Sequence, residues 1–436
     1  MRVSVSRIRS ATFAKRLLAI VALALAARLV YALLIMGGRE VGGDGREFHL
    51  LANVLADEGR YLQPFRWLYQ DVAVPTAEKP PLYPLSLALP SLVGLDTVAA
   101  HRVASCLMGG ATVGVIGLLG RRVGGERVGL VAALIAALYP ALVMLDASVR
   151  SESLYVLLIA LCLLAAYRLV DSPTPWRAAT LGALVGLAAL TRGEALLLLP
   201  LLVLPLLWLL QRDRRLRAIL VVAAGSLIVV APWLARNWIV FDRPAAISTN
   251  EGGLLAGANC EAAYYSHLIG TWPCFREAPR EAGTNEAKMS SLLREEALEY
   301  AGDNAERVPA VVAVRVLRVW DLWDTRDAAA LESQIADRHL RAQQAAVLCL
   351  FVLVPLAVGG AVALRRRGAP LRILLATPVL VTLTAALTYG STRFRVAAEV
   401  AVVVLAAVAV VALIERRRGP AGREEPPTEQ GPEVTA

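Results

Sequence analysis

The chain repeats apolar runs of about 20 residues, and this repetition restricts its fold more than any other feature. A helix of that length crosses the hydrocarbon core of a bilayer, where each backbone N–H and C=O must find its partner within the protein. Hydrophobic residues occupy 57% of the 436 positions, and the mean hydropathy is +0.56. These values exclude a soluble enzyme and predict an all-α polytopic membrane protein with about ten transmembrane helices.

The basic residues indicate which loops face the cytoplasm. The net charge is +9, but arginines and lysines stand at the ends of apolar runs, which is typical of topology signals rather than of nucleic-acid binding. The predicted spans are 17–36, 99–119, 128–145, 154–170, 178–190, 195–210, 218–238, 345–364, 373–389 and 396–414. With the N-terminus inside, all the inner loops are then basic. The apolar stretch 82–93 is predicted as a juxtamembrane helix, because counting it as a span would move every later basic cluster outside.

This topology divides the chain into five segments. A basic cytoplasmic N-terminus (1–16) is followed by a transmembrane catalytic module (17–240) whose first outer loop is 37–98. The polar segment 241–341 is expected on the extracytoplasmic side, and its stretch 308–323 is predicted as an interfacial helix. C-terminal transmembrane helices (342–415) precede a tail (416–436) rich in Pro, Glu and Gly, which predicts a disordered cytoplasmic tail.

The first outer loop carries an acid and a base that could act together. Asp44 opens the run 44–55, whose apolar residues recur at helical spacing and predict an amphipathic helix at the membrane interface. Lys79 precedes two prolines, which restrict the backbone beside it. A carboxylate and an ammonium on one loop can deprotonate a nucleophile and hold a phosphate. Each also has a simpler interpretation, Asp44 as a helix N-cap and Lys79 as a loop cation.

Other charged residues stand at the outer ends of spans, where charge is costly unless it is paired or lines a cavity. Glu152 heads the fourth span and suits either a site or a helix N-terminus. Arg192 and Glu194 flank a glycine in a short outer turn, so a local ion pair is the alternative to a site. Arg393 and Arg395 form a guanidinium pair that opposes the usual charge bias and favours an anion such as a lipid phosphate. Together these positions predict one site on the outer face.

Cysteine and histidine give weaker signals. Cys260 and Cys274 share one polar loop, and a disulfide between them is left open, because spacing does not determine their geometry. The four histidines show no metal-ligand spacing, and the sequence contains no P-loop, Gly-x-Ser-x-Gly or HExxH motif. No cofactor is therefore predicted with certainty, and a divalent cation is left open.

Six motifs in a fixed order resemble the glycosyltransferase C superfamily. They are GGDGREFHLLA, EKPPLYP, SVRSESLY, LTRGEALLLLP, the pair APWLARNW and ISTNEGGLLAG, and YGSTRFR. Within that superfamily the chain is most similar to the bacterial branch of protein O-mannosyltransferase-like enzymes and lipid A aminoarabinose transferases. The motifs depart from the family pattern at Gly45, where many members have a second acid, and at Ala397 and Val400, where prolines are usual.

The resemblance implies transfer of a sugar from a polyprenyl-phosphate carrier to a lipid, glycan or protein acceptor at the extracytoplasmic face of the cell membrane. By its motif, Asp44 matches the catalytic acid, and Glu152 matches a second acid near the acceptor or a metal. Lys79 matches a lysine that contacts the carrier phosphate, and Arg393 or Arg395 matches a late phosphate-binding arginine. Tyr83, Arg192 and Glu194 are expected in supporting roles, with membrane lipids as partners and nucleic acid excluded.

Two other classes of function compete with a transferase. A transporter or flippase for an anionic or lipid-linked substrate would also need cations on the outer face. It should show internal repeats and functional charges near the bilayer midplane, and the sequence shows neither. A structural partner in an envelope complex would explain the long outer segment, but it would not explain an acid and a lysine on one loop.

Overall fold

A computed structural model describes residues 2–275, 283–335 and 338–417, and these residues fold almost entirely into helices. The described ranges contain no β-strand, apart from one isolated antiparallel bridge between Leu62 and Pro75. The all-α class predicted from the sequence is therefore confirmed.

The helices are numbered in chain order. The first half of the chain forms α1 (Arg2–Val30), α2 (Gly43–Glu58), α3 (Pro64–Gln70), α4 (Leu82–Ser91), α5 (Val98–Gly124), α6 (Glu126–Leu138), α7 (Pro140–Ala147), α8 (Glu152–Asp171), α9 (Pro175–Ala189) and α10 (Leu198–Leu209). The second half forms α11 (Arg212–Phe241), α12 (Glu251–Ala258), α13 (Glu261–Tyr265), α14 (Glu286–Asp303), α15 (Val308–Val319), α16 (Thr325–Ile335), α17 (Leu340–Arg366), α18 (Arg372–Leu387) and α19 (Val396–Arg417). A π-helical turn (Tyr31–Ile35) follows α1, and a 3₁₀ turn (Gly193–Leu197) precedes α10.

Several helices meet the length and apolarity needed to cross a membrane. Within the described residues there are six: 11–35, 98–124, 152–171, 212–241, 340–366 and 396–417. The bent pair α6–α7 would make a seventh, and two shorter apolar helices cover 193–209 and 372–387. Every predicted span falls on one of these helices, on α6–α7 or on α9, while the full count of about ten remains a prediction.

The α6–α7 bend divides the third predicted span. The two helices meet at an angle of 55° between Tyr139 and Pro140. Proline lacks an N–H and its ring displaces the preceding helical carbonyl, so a helix breaks at this position. α7 leads into the turn before α8, whose first residue is the predicted site residue Glu152.

Small residues allow the central helices to pack closely. In α17, a Cβ added at Gly360 would lie 1.9 Å from the carbonyl oxygen of Leu405, so α17 and α19 approach backbone to backbone. α19 is buried from Val396 to Ala409, and it also packs on α5, α6, α8 and α18. This packing fixes the position of the loop that precedes α19.

A buried ion pair joins the first span to this core. Arg28 Nε donates to Asp146 Oδ2 at 2.7 Å, and both residues are at most 3% exposed. An added Cβ at Gly109 would lie 1.9 Å from the same carboxylate oxygen, so a side chain there would clash with the pair. Arg28 is therefore paired within the helix bundle.

The polar segment after α11 packs against the loop before α4 and against the end of α18. Cys260 and Cys274 form a disulfide, which decides the question that spacing left open. Arg318 of α15 donates through Nε to the Ile269 oxygen at 2.7 Å, within the disulfide-bonded stretch, and Arg315 donates through Nη2 to the Ala258 oxygen at 2.7 Å, just before that stretch. The predicted stretch 308–323 is thus helical over Val308–Val319 as α15, and its interfacial placement stays a prediction.

The first and last helices extend beyond the predicted spans 17–36 and 396–414. α1 begins at Arg2, so the basic N-terminal segment is continuous with the first span. No proline or glycine interrupts residues 2–16, and a helix can therefore run through them. At the other end α19 continues to Arg417, and the remainder of the predicted tail (418–436) lies outside the described residues.

Candidate active site

The structure brings together six of the side chains that the sequence singled out. They come from α2, from the loop before α4, from the start of α8, from the turn after α9 and from the loop before α19: Asp44, Lys79, Glu152, Arg192, Glu194 and Arg393. We call this set the acid–base cluster. Its members are far apart in sequence, so the helix packing described above is what assembles it.

Asp44 lies in the first turn of α2 but does not cap the helix. The N-cap residue is Gly42, which has no side chain that could accept a hydrogen bond from the first N–H groups of the helix. Gly43 has φ +50°, a backbone conformation that favours glycine. An added Cβ at Gly45 would lie 2.9 Å from the carbonyl oxygen of Ser148, so the close approach of α2 to this turn leaves no room for a side chain at position 45. The glycines therefore place Asp44 against the turn before α8.

Three cations surround the Asp44 carboxylate. Oδ1 lies 3.2 Å from Lys79 Nζ, and Oδ2 lies 2.8 Å from Arg393 Nη1 and 3.5 Å from Arg150 Nη1. Burial alone would raise the pKa of Asp44, but the charges of Lys79, Arg393 and Arg150 outweigh it and hold that pKa well below its usual range. The side chain is still 32% exposed, so a substrate can reach an ionised carboxylate here.

The backbone of the Lys79 loop is held by the loop before α3 and by the segment 241–341. Its carbonyl accepts from the Tyr61 hydroxyl at 3.0 Å. Two residues earlier, Ala77 N–H donates to Glu286 of α14 at 2.9 Å, and the Ala77 carbonyl accepts from Thr249 N–H. The lysine side chain is 9% exposed, and nearby carboxylates, Asp44 first, raise the pKa of Lys79 well above its usual range despite burial. The ammonium is therefore a fixed positive charge.

Glu152 anchors the other side of the acid–base cluster. Its Oε1 accepts from Arg393 Nε at 2.8 Å and Arg192 Nη1 at 2.9 Å, and the residue is fully buried. Arg192 Nε also donates to Glu194 at 2.6 Å. Arg393 thus bridges the two acids, with one edge on Glu152 and its Nη1 on Asp44. Such charge-assisted bonds restrict the guanidinium to one orientation.

Two sequence-predicted residues lie outside this arrangement. Arg395 Nε donates to Glu399 at 2.9 Å and Nη1 to Asp321 at 2.5 Å, in a separate group buried between α15 and α19. The Tyr83 ring is buried edge-on against Phe48, and its hydroxyl pairs with Ser105 at 2.8 Å. The structure therefore does not bring either side chain to Asp44.

Sequence reasoning missed Glu47 and Arg150. Glu47 stands three residues after Asp44, which places both acids on one face of α2, and its Oε2 lies 2.9 Å from Lys79 Nζ. Arg150 follows Val149, whose φ of +48° is rare for a β-branched residue. The helical i, i+3 spacing was a usable signal for Glu47. No sequence signal indicated the strained turn before Arg150.

The described residues do not fit a divalent metal. They contain no group of three or more His, Cys, Asp or Glu side chains arranged to hold an ion. The contacting oxygens of Asp44 and Glu152 already accept from Lys79, Arg192 and Arg393. No step of the chemistry below is assigned to a metal.

Residues 78–235, less than half of the chain, match the family model described as dolichyl-phosphate-mannose-protein mannosyltransferase. No curated protein sequence matches the chain significantly. Among solved structures, oligosaccharyltransferase AglB from Archaeoglobus fulgidus, in complex with an inhibitory peptide and a dolichol-phosphate, matches with TM-score 0.58 and 14% identity. The alignment covers 92% of this chain and 50% of that chain.

Two further solved structures are similar. The Archaeoglobus fulgidus oligosaccharyltransferase in complex with Zn and sulfate matches with TM-score 0.57 and 14% identity over 92% of this chain and 49% of that one. ArnT from Cupriavidus metallidurans, bound to undecaprenyl phosphate, matches with TM-score 0.45 and 16% identity over 90% of this chain and 77% of that one. The chain thus spans about half the length of the oligosaccharyltransferase, whose fold it shares. The resemblance to the glycosyltransferase C superfamily is confirmed by the family match and this fold.

Proposed function

We propose that the protein is an integral-membrane inverting glycosyltransferase. It moves a sugar from a polyprenyl-phosphate carrier to an acceptor hydroxyl or amine on the extracytoplasmic face. One observation carries the proposal: an ionised, partly exposed carboxylate, Asp44, lies between the buried cations Lys79 and Arg393. The family match and the shared fold support the same class of reaction.

In this mechanism the cations receive the leaving group. The acceptor oxygen or nitrogen attacks the anomeric carbon as the bond from that carbon to the phosphate oxygen breaks, and the electron pair stays on the phosphate. Negative charge on the phosphate grows during this step, and preorganised cations such as Lys79 and Arg393 stabilise it most in the transition state.

Asp44 removes the acceptor proton. Since its low pKa keeps it ionised, it orients the acceptor by accepting a hydrogen bond and takes the proton as the new bond forms. Glu152 is fully buried, so in this proposal it acts by holding Arg192 and Arg393 in place.

The proposal is tested with full-length protein in nanodiscs. Radiolabelled polyprenyl-phosphate sugars and a membrane extract are supplied, and loss of label from the carrier is measured for the wild type, Asp44→Asn and Asp57→Asn. Asp57 lies exposed near the other end of α2, so its substitution is a matched control for the same chemical change.

We expect the wild type and Asp57→Asn to consume the carrier, and Asp44→Asn to lose about 10²- to 10⁴-fold in rate, the usual contribution of a general base. Near-full activity of folded Asp44→Asn would refute the assignment. Carrier that binds but is not consumed with any acceptor would favour the transporter instead.

A further inference from the structure

Three carboxylates share the single ammonium of Lys79. Nζ lies 2.9 Å from Glu47 Oε2, 3.2 Å from Asp44 Oδ1 and 3.3 Å from Glu78 Oε1. A lysine ammonium has three donors and no acceptor, so these contacts use its whole hydrogen-bonding capacity. A phosphate that binds to Lys79 must therefore replace one carboxylate.

The three carboxylates differ in their access to water. The side chains of Asp44 and Glu78 are 32% and 35% exposed, whereas that of Glu47 is 13% exposed. Asp44 is also paired with a second cation, Arg393. Among the described residues, Glu47 has one cation within ion-pair distance, Lys79. A second anion near Lys79 would consequently destabilise the charge of Glu47 more than that of either neighbour.

The groups that face Glu47 come from three parts of the chain. Asp44 lies on the same helix, Glu78 and Lys79 lie on the loop before α4, and Tyr61 lies on the loop before α3. The Tyr61 hydroxyl donates to the Lys79 carbonyl. Burial raises the pKa of Glu47, Lys79 lowers it, and the negative charges of Glu78 and Asp44 raise it further. The resulting pKa of Glu47 is about 7.

We propose that Glu47 takes up one proton from solvent when the carrier phosphate binds at Lys79. The neutral carboxyl no longer competes for the ammonium, so the phosphate occupies its place. When the phosphate leaves, Glu47 ionises again and the proton returns to solvent. Glu47 is thus a positioning residue that acts through Lys79, and this inference rests on the proposed function.

The sign of the pH dependence follows from linkage. A bound phosphate raises the pKa of Glu47 above its value of about 7 in the free protein, because like charges disfavour ionisation. The affinity for phosphate is then greatest below pH 7 and falls by up to about tenfold per pH unit above it. It becomes constant again once Glu47 also ionises in the complex.

The experiment measures binding of a phosphodiester of constant charge. The probe is the methyl ester of farnesyl phosphate, which lacks the second ionisation that a phosphomonoester has near pH ~6. Its Kd is measured by calorimetry between pH 6 and 9 for nanodisc-embedded wild type, Glu47→Gln and Glu78→Gln. At pH 8 the wild type is also measured in two buffers of different ionisation enthalpy, which reports proton uptake without any substitution.

We expect the wild-type Kd to rise by about fivefold between pH 7 and pH 8 and to approach a tenfold rise per pH unit above pH 8, with proton uptake on binding. Glu47→Gln should bind tightly and independently of pH. Glu78→Gln, which changes a more exposed carboxylate on the same ammonium, should keep the wild-type slope. A flat wild-type profile without proton uptake, or a slope that persists in Glu47→Gln, would overturn the inference.

The transfer assay separates failure of this inference from failure of the proposed function. A protein that consumes the carrier sugar but shows a flat binding profile is a transferase without proton-coupled binding. A protein that neither binds the probe at any pH nor consumes the carrier contradicts both proposals.

Discussion

Substitution of Arg395 by methionine tests whether the two arginines of the YGSTRFR motif have separate roles. Arg395 is 3% exposed, and it contacts Asp321 and Glu399, which are each 1% exposed. Methionine fills much of the same space without charge, so both carboxylates would remain buried without their cation. Removal of one partner from such a buried group costs about 3–5 kcal/mol. We expect the free energy of unfolding to fall by that amount.

The measurement is reversible unfolding in mixed detergent micelles at neutral pH. Arg366→Met is the matched control, because Arg366 lies exposed at the end of α17, and its substitution should change the free energy of unfolding by less than about 0.5 kcal/mol. The triple variant Arg395→Met, Asp321→Asn, Glu399→Gln should recover most of the lost stability, since no buried charge is then left unpaired.

The Kd for the carrier probe, measured on folded protein, tests whether only Arg393 acts in phosphate binding. Arg393 contacts both Asp44 and Glu152, so Arg393→Met should raise the Kd for the phosphodiester probe. If Arg395→Met raised the Kd as strongly and left the free energy of unfolding unchanged, the separation of roles would be refuted.

Three further predictions concern the stability of the protein. The wild type should lose stability as pH rises from about 4.5 to about 7, because the folded-state pKa of Glu47 is raised above its ordinary value; Glu47→Gln should lack this loss in thermal unfolding scans. Replacing Cys260 and Cys274 by serine should lower stability by about 3 kcal/mol, as expected for a loop of about 15 residues, and hydrogen exchange should show faster opening of that loop. Arg28→Leu or Asp146→Leu alone should cost about 3–5 kcal/mol, whereas the double variant should cost much less in a double-mutant cycle.

The helices were predictable because a bilayer requires long apolar segments. The predicted span 396–414 lies within α19, and the short apolar stretch 82–93 corresponds to α4, a helix too short to cross. The α6–α7 bend was missed, although Pro140 marks it, because apolar composition continues through the break. Hydropathy therefore located the helices but not the change of direction at Pro140.

The acid–base cluster was predictable only in part, since sequence order does not give side-chain direction. Arg393 and Arg395 stand two residues apart, and no pattern distinguishes them. The first contacts Asp44, and the second contacts Asp321. The difference arises from the turn between α18 and α19, where Arg395 is the last residue before the helix begins. The predicted topology puts both arginines on the same side of the membrane, but the local backbone directs their side chains to different partners.

The carboxylates around Lys79 and Arg393 do more than orient these two cations. Buried cations without partners are costly, so under the proposed function a site that presents Lys79 and Arg393 to a phosphate needs anions when no substrate is bound. Asp44, Glu47 and Glu152 supply them. These anions also weaken the binding of a singly charged phosphodiester, whereas the charge that develops on the leaving phosphate competes with them more strongly. An arrangement that is neutralised internally thus favours the transition state over the ground state, which is the condition for a higher rate of sugar transfer.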